Sequence, residues 1–337
     1  MSMLRQFWVG TKSQDASSGI WRFARAAGAD WSQVHPVLMA PEPMPTFLAV
    51  HPLADRLYAV GEQEQGAVRS HKVATDCALR RTSSSSSGGA GPCHLLVHPQ
   101  GQWLYVANYV DGTLGAIELT EAGDLGDEVL RYPHSGSGPV AGRQDGPHAH
   151  YCAISPGGDW LIVADLGTDQ LRSYALDDGL PADEPVLTDL PAGFGPRHIA
   201  AWEEVLYVTG ELSGEVAALA WDEGTGVGEV ITRAAVSTRE GDRYPSHIER
   251  LGDWLIIGVR GVNTLSAMAI TGNGTGLEAL GEVTTVDWPR HLAVSGDYVL
   301  VAGEGADSIG VHPIESSGVG RLAEQIAVPA PMCILPM

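Results

Sequence analysis

Five side chains suited to holding an anion or moving a proton, His148, Arg197, Glu211, Arg260 and Arg290, recur at two kinds of position along a chain of 337 residues. Arginine grips a carboxylate or phosphate through a two-pronged donor pair. Histidine and glutamate supply the acid and base for chemistry at a carbonyl. Arginines gathered at one place repel one another unless a carboxylate or a bound anion lies between them, and Glu211 can neutralise only one. The set stands out because the chain carries 20 Lys+Arg against 41 Asp+Glu, a formal charge of −21. An anion-binding site with an acid–base pair is the chemistry these residues predict.

The elements that must position them are written in a repeat. A proline opens each unit, at Pro45, Pro92, Pro147, Pro196, Pro245, Pro289 and Pro331, at intervals of 47, 55, 49, 49, 44 and 42 residues. That is the period of a four-stranded propeller blade and too long for ankyrin, TPR or leucine-rich repeats. In the unit that opens with Gly195-Pro196-Arg197-His198, short alternating strands are expected at 198–201, 206–209 and 215–221, separated by polar turns. Seven starts predict an all-β, seven-bladed β-propeller as a single domain over residues 1–337. Residues 7–11 match a second strand, so the missing first strand of that blade is expected at 332–335, closing the ring and removing the exposed edge.

In such a meander the lead-in to the first strand and the turn after the second lie on one face. Both sets should therefore surround one mouth of the central channel. The residue two after the proline is repeatedly His (His94, His198, His247, His291), which points to a repeated structural task. The residue one after it varies (Thr46, Cys93, His148, Arg197, Ser246, Arg290, Met332), as do the second-strand ends (Lys12, Glu62, Tyr109, Leu166, Glu211, Arg260, Glu304). Positions free to differ between blades are the candidate site: His148, Glu211, Arg197 and Arg260 as catalytic groups, with Arg290, His150 and Glu304 binding substrate. The insertion 132–145 is a candidate rim over the pocket, and the serines at 83–87 with Gly88-Gly89 read as a solvated loop.

Other chemistries are excluded or unsupported. GxSxG, GxxxxGK[ST] and complete GxGxxG patterns are absent, and Trp221-Asp222 is an unrepeated WD pair. His148-x-His150 is half a metal site with no third ligand spaced for it, so neither metal nor cofactor is expected. The acidic balance argues against nucleic acid or an anionic membrane as partner. Four cysteines sit singly, and the start of the chain has no apolar stretch of the signal-peptide kind, so a cytoplasmic monomer is expected.

With these residues in view, the chain resembles the lactonase family of seven-bladed propellers, which includes 6-phosphogluconolactonases and carboxy-cis,cis-muconate cyclases. Pro147-His148-Ala149-His150, Val163-Ala164-Asp165-Leu166-Gly167, Gly195-Pro196-Arg197-His198, Glu211-Leu212-Ser213 and Pro289-Arg290 carry the resemblance. It implies a site of His148, Arg197, Glu211 and Arg260, and hydrolysis of an anionic sugar-acid lactone, most like 6-phosphogluconolactone, with Glu211 or His148 as base. A muconate-type lactonising cycloisomerase and a non-catalytic binding platform are the alternatives. The chain departs from the family pattern at Gly210, where Asn is usual, at Gly258-Val259, where Ser-Asn is usual, and at Glu304, where Gln is common.

Overall fold

The computed structural model describes residues 4–13, 15–316 and 318–337. These form seven antiparallel sheets, each built on a four-strand meander, arranged about one axis. The innermost strands are Leu48–Val50, Pro92–Val97, Ala149–Ile154, Pro196–Trp202, Arg243–Leu251, Pro289–Ser295 and Pro331–Pro336. Proline is tolerated at a strand's first residue because its missing N–H interrupts no ladder there. The blades are numbered from the one containing the N-terminal strand. Blade 1 takes its innermost strand from the other end of the chain: Pro331–Pro336 pairs with Leu4–Thr11, Val9 opposite Ile334 and Gly10 opposite Cys333. Ring closure is therefore as the repeat predicts.

Each blade is covered on both faces by its neighbours, so second strands such as Arg56–Gly61 and Trp160–Asp165 are buried almost throughout. They read as short continuous apolar runs for that reason. Phe7, Val9 and Phe23 of blade 1 pack against Leu300, Ile309 and Val328 of blade 7. Each of the other six seams between blades has a cluster of its own. Burying one such side chain contributes about 1.5–3 kcal/mol.

Residues 83–87 are not the loop their composition suggested. Leu79–Ser86 is the outer strand of blade 2, with Ser83 opposite Ser70 and Ser86 opposite Ala67. Its small side chains let the next blade approach: the Ser83 hydroxyl accepts from the Leu125 N–H at 3.0 Å. A fourth strand had to lie between the end of the third strand at Val73 and Pro92, and no other stretch was left to supply it.

The repeated histidines fill the axis. Phe47, His94, Tyr151, His198, His247 and His291 follow one another round the channel, adjacent ring centroids lying 3.8 to 5.5 Å apart. Buried Cys333 holds the corresponding place in blade 1. These rings also join blades: His94 Nδ1 accepts from the Cys152 N–H at 3.1 Å, and His291 Nδ1 accepts from the Ile334 N–H at 3.4 Å. His198 Nδ1 lies 2.7 Å from His247 Nδ1, so one of the two must carry the proton. Burial holds all four imidazoles below the usual range, His247 at about 3 with Arg197 adding to the effect. A plug of neutral rings closes the channel below the mouth.

Candidate active site

One residue before each axial ring comes the side chain that faces up into the mouth. Thr46, Cys93, His150, Arg197, Arg290 and Met332 line its floor, above Phe47, His198 and His291. Ser246, the corresponding residue of blade 6, is instead bonded to the carbonyls of Gly258 and Pro289. In blade 4 the structure differs from the sequence reading. Pro92 lies opposite Asn108, and Pro289 opposite Gly303, the last residues of their second strands. The residue opposite Asp165, the last of blade 4's second strand, is Ala149 and not Pro147. His150 therefore occupies the place of Cys93 and Arg290, and His148 falls two residues short of it.

The longer loop leading into blade 4 causes this shift, and it gives His148 different surroundings. Its ring stacks on Tyr109 with centroids 4.5 Å apart. Its Nδ1 donates to the Tyr109 carbonyl at 2.7 Å, and its backbone N–H donates to Asp165. The ring is fixed behind Tyr109, which lines the cavity where His148 does not.

Above the floor the mouth opens into a cavity of about 420 Å³, within the range of small-molecule sites. Second-strand ends supply Lys12, Glu62, Tyr109, Glu211 and Arg260, while Arg143 comes from the insertion between blades 3 and 4. Leu166 is buried away from it, and Glu304 lies in an adjoining cleft that shares Lys12 and Trp288. Trp288 has a positive φ of 54°, a conformation uncommon for a bulky residue, and its ring lies under the Arg260 guanidinium at 5.6 Å.

Glu211 is the hub. Arg260 Nη2 donates to its Oε2 at 2.6 Å, Arg197 Nε lies 2.9 Å from the same oxygen, and Arg143 Nη2 reaches Oε1 at 2.5 Å. Burial alone would raise the Glu211 pKa, but Arg260 and Arg197 outweigh it and hold the carboxyl well below its usual range. A carboxylate so engaged on both oxygens is a poor proton acceptor. Burial, then Arg260 and Arg290, pull Arg197 down in turn. Arg197 is 2% exposed, and its Nη1 has no hydrogen-bond partner.

His150 is 4% exposed, with Nδ1 also unpartnered, and burial and Arg197 keep its imidazole neutral. Burial works against the Arg290 charge, but Glu304 and Glu62 more than offset this. Cys93 is pushed up to about 12 by burial and Glu62, so its thiol is inert. Five cationic side chains (Lys12, Arg143, Arg197, Arg260, Arg290) thus meet three carboxylates (Glu62, Glu211, Glu304) in a chain otherwise strongly acidic. Among the described residues no three His, Cys, Asp or Glu side chains converge as metal ligands.

The family model for the seven-bladed β-propeller lactonases matches residues 6–336. The chain belongs to that family. A 6-phosphogluconolactonase of Bacillus subtilis is 30% identical over 292 residues, covering 84% of this chain and 83% of the relative. One of Formosa agariphila is 28% identical over 262 residues, covering 73% and 74%. Among solved structures, the periplasmic gluconolactonase of Pseudomonas aeruginosa superposes with a TM-score of 0.88 at 25% identity, covering 99% of both chains. The chain is accordingly an enzyme of the lactonase class, as the resemblance implied, and the identity of its lactone is a separate question.

Of the residues singled out in the sequence, Arg197, Glu211, Arg260, Arg290 and His150 meet at this cavity, Glu304 borders it, and His148 stands behind Tyr109. Arg143 was missed because it lies in an insertion, outside any repeat position. At Gly210 a Cβ would come 2.5 Å from Ser213 Oγ and 2.7 Å from the Phe194 ring, so there is no room for the Asn that the resemblance leads one to expect. A larger cavity of about 610 Å³ is lined by Ser13, Asp15, Ala16 and Ser18 on one side and residues 41–44 on the other. Its one buried charge, Glu42, is already committed to Arg69 and His71, so it lacks the free polar groups of the mouth.

Proposed function

We propose that this lactonase hydrolyses an anionic sugar-acid lactone, with 6-phosphogluconolactone as the best fit. The observation that carries the reading is the cluster of buried arginines, one of them with an unpartnered donor, in a protein of strong negative charge. Burying guanidinium groups beside one another is unfavourable, and a bound phosphate relieves that repulsion. Its relatives in Bacillus subtilis and Formosa agariphila bear the name of the same activity.

In this reading Arg197 and Arg260, with Arg290, hold the anionic group and the lactone carbonyl oxygen as negative charge develops. Glu211 keeps the guanidinium groups together. We assign the proton transfer to His150, which lines the cavity and has a free ring nitrogen. Burial first and Arg197 second depress its basicity, and an anion seated on the arginines cancels the second of these and raises it. His150 then takes a proton from the attacking water as its oxygen bonds to the carbonyl carbon. The tetrahedral intermediate collapses, the ring C–O bond breaks, and the imidazolium returns the proton to the leaving alkoxide.

The unpaired Cys77, Cys93, Cys152 and Cys333 and a phosphorylated substrate fit a cytoplasmic enzyme. Hydrolysis of 6-phosphogluconolactone well above its spontaneous rate, unchanged after dialysis against a chelator, is the expected result. A rate equal to the uncatalysed one would remove this substrate, and loss with the chelator would assign the electrophilic role to a metal.

A further inference from the structure

The cavity is electrically two-sided. Arg197 and Arg260, from blades 5 and 6, gather on Glu211 with Arg143 of the insertion before blade 4, while Arg290 of blade 7 lies toward Glu304. On the opposite side, Lys12 Nζ sits between two carboxylates, 3.5 Å from Glu62 Oε1 and 3.9 Å from Glu304 Oε1. In each carboxylate the other oxygen, Oε2, is buried without a hydrogen-bond partner among the described residues, that of Glu62 with no cation beside it and that of Glu304 with Arg290 Nη1 3.9 Å away. Glu62 lines both the cavity and its floor. Thr46, 2% exposed, adds an unpartnered hydroxyl to the same floor.

Two carboxylates with oxygens that accept no hydrogen bond, one of those oxygens beside no cation at all, are misplaced in a pocket built only for an anion. They are well placed for a ligand that brings hydroxyl donors, because an ionised acceptor makes the stronger kind of hydrogen bond. We propose that Glu62 and Glu304 read the free hydroxyls of a polyhydroxylated substrate whose anionic group is held by Arg197 and Arg260 across the cavity. The proposal rests on the anionic-lactone reading and narrows it to a polyol at the end remote from the anion. It also sets the site against a dicarboxylate, whose second carboxylate would meet Glu62 and Glu304.

Three unreactive ligands separate the two halves: glucitol 6-phosphate carries both features, hexyl phosphate only the anion, and glucitol only the hydroxyls. Calorimetry on wild type, Glu62→Gln and Glu304→Gln, each checked for an unchanged melting curve, gives the readout. Losing a hydrogen bond to a charged acceptor corresponds to about tenfold or more in affinity. Both variants should bind glucitol 6-phosphate and glucitol about tenfold more weakly, and hexyl phosphate as well as wild type or better. If Gln strengthens or leaves unchanged the binding of all three, the carboxylates only repel anions and the proposal is overturned. If wild type binds glucitol but not hexyl phosphate, the arginine reading fails while the hydroxyl-reading wall stands.

Discussion

In the proposed mechanism Glu211 organises the site by gathering its guanidinium groups and leaves the proton transfer to another residue. It holds Arg143, Arg197 and Arg260 within 2.5 to 2.9 Å of its two oxygens, and its depressed pKa means this stabilisation is present above the ordinary carboxylate range. The stabilisation is lost only as pH falls through that depressed value. Glu211→Gln leaves buried guanidinium groups uncompensated, a loss of about 3–5 kcal/mol for a broken buried pair. The variant should melt lower than wild type, and inorganic phosphate should raise its Tm more than it raises that of wild type. Equal phosphate shifts in the two proteins would count against an anion seat between the arginines. Arg197→Ala should lower kcat/KM by about 100- to 1000-fold, as removal of one preorganised oxyanion donor does. Lysine should recover only part, keeping the charge and losing the fork.

At the scale of elements, the insertion before blade 4 is part of the site. Gln144, fully buried beside Arg143, donates to the Leu166 carbonyl at 2.8 Å and to Asp169 Oδ1 at 2.7 Å. Asp169 also accepts from the N–H groups of Gly193 and Gly195, in the turn that leads to Arg197. One carboxylate therefore sets the loop carrying Arg143 and the strand carrying Arg197 relative to each other. Misplacing catalytic groups by about 1 Å can cost about 100-fold in rate. Gln144→Ala, which touches none of the proposed substrate contacts, should lower kcat/KM by about tenfold while far-ultraviolet circular dichroism stays unchanged; full activity would show that the loop needs no such anchor. The proline period and the variable positions beside it made the ring, its closure and most of the arginine cluster legible in the sequence. Three things were not. The outer strand of blade 2 is composed like a linker, the floor position of blade 4 is displaced by its long lead-in, and Arg143 answers to no repeat. Tyr151, an aromatic at the place filled by His94 and His198 in the next blades, was the available sign that His150 and not His148 faces the cavity.

The whole molecule depends on a closed ring around a neutral axial plug. Deleting residues 331–337 removes the strand paired with Leu4–Thr11 and exposes an apolar edge, so aggregation and loss of a cooperative transition are expected; an unchanged melting curve would contradict closure by that strand. Four axial histidines have folded pKa values below the unfolded one of about 6.5. Each takes up a proton on unfolding as pH falls below that value, so stability should drop by up to about 1.4 kcal/mol per pH unit for each. Melting temperatures from pH 7 to pH 4 should fall steeply, and His291→Phe should flatten the slope. The same plug lies beneath the floor that carries Arg197 and Arg290, and burial there strengthens their attraction for an anion. The decisive measurement is the ratio of kcat/KM for 6-phosphogluconolactone to that for unphosphorylated gluconolactone, in wild type and in Arg197→Ala. A ratio well above one in wild type that collapses in the variant is the predicted result. A wild-type ratio at or below one, unmoved by the substitution, would contradict an arginine site built for an anionic lactone.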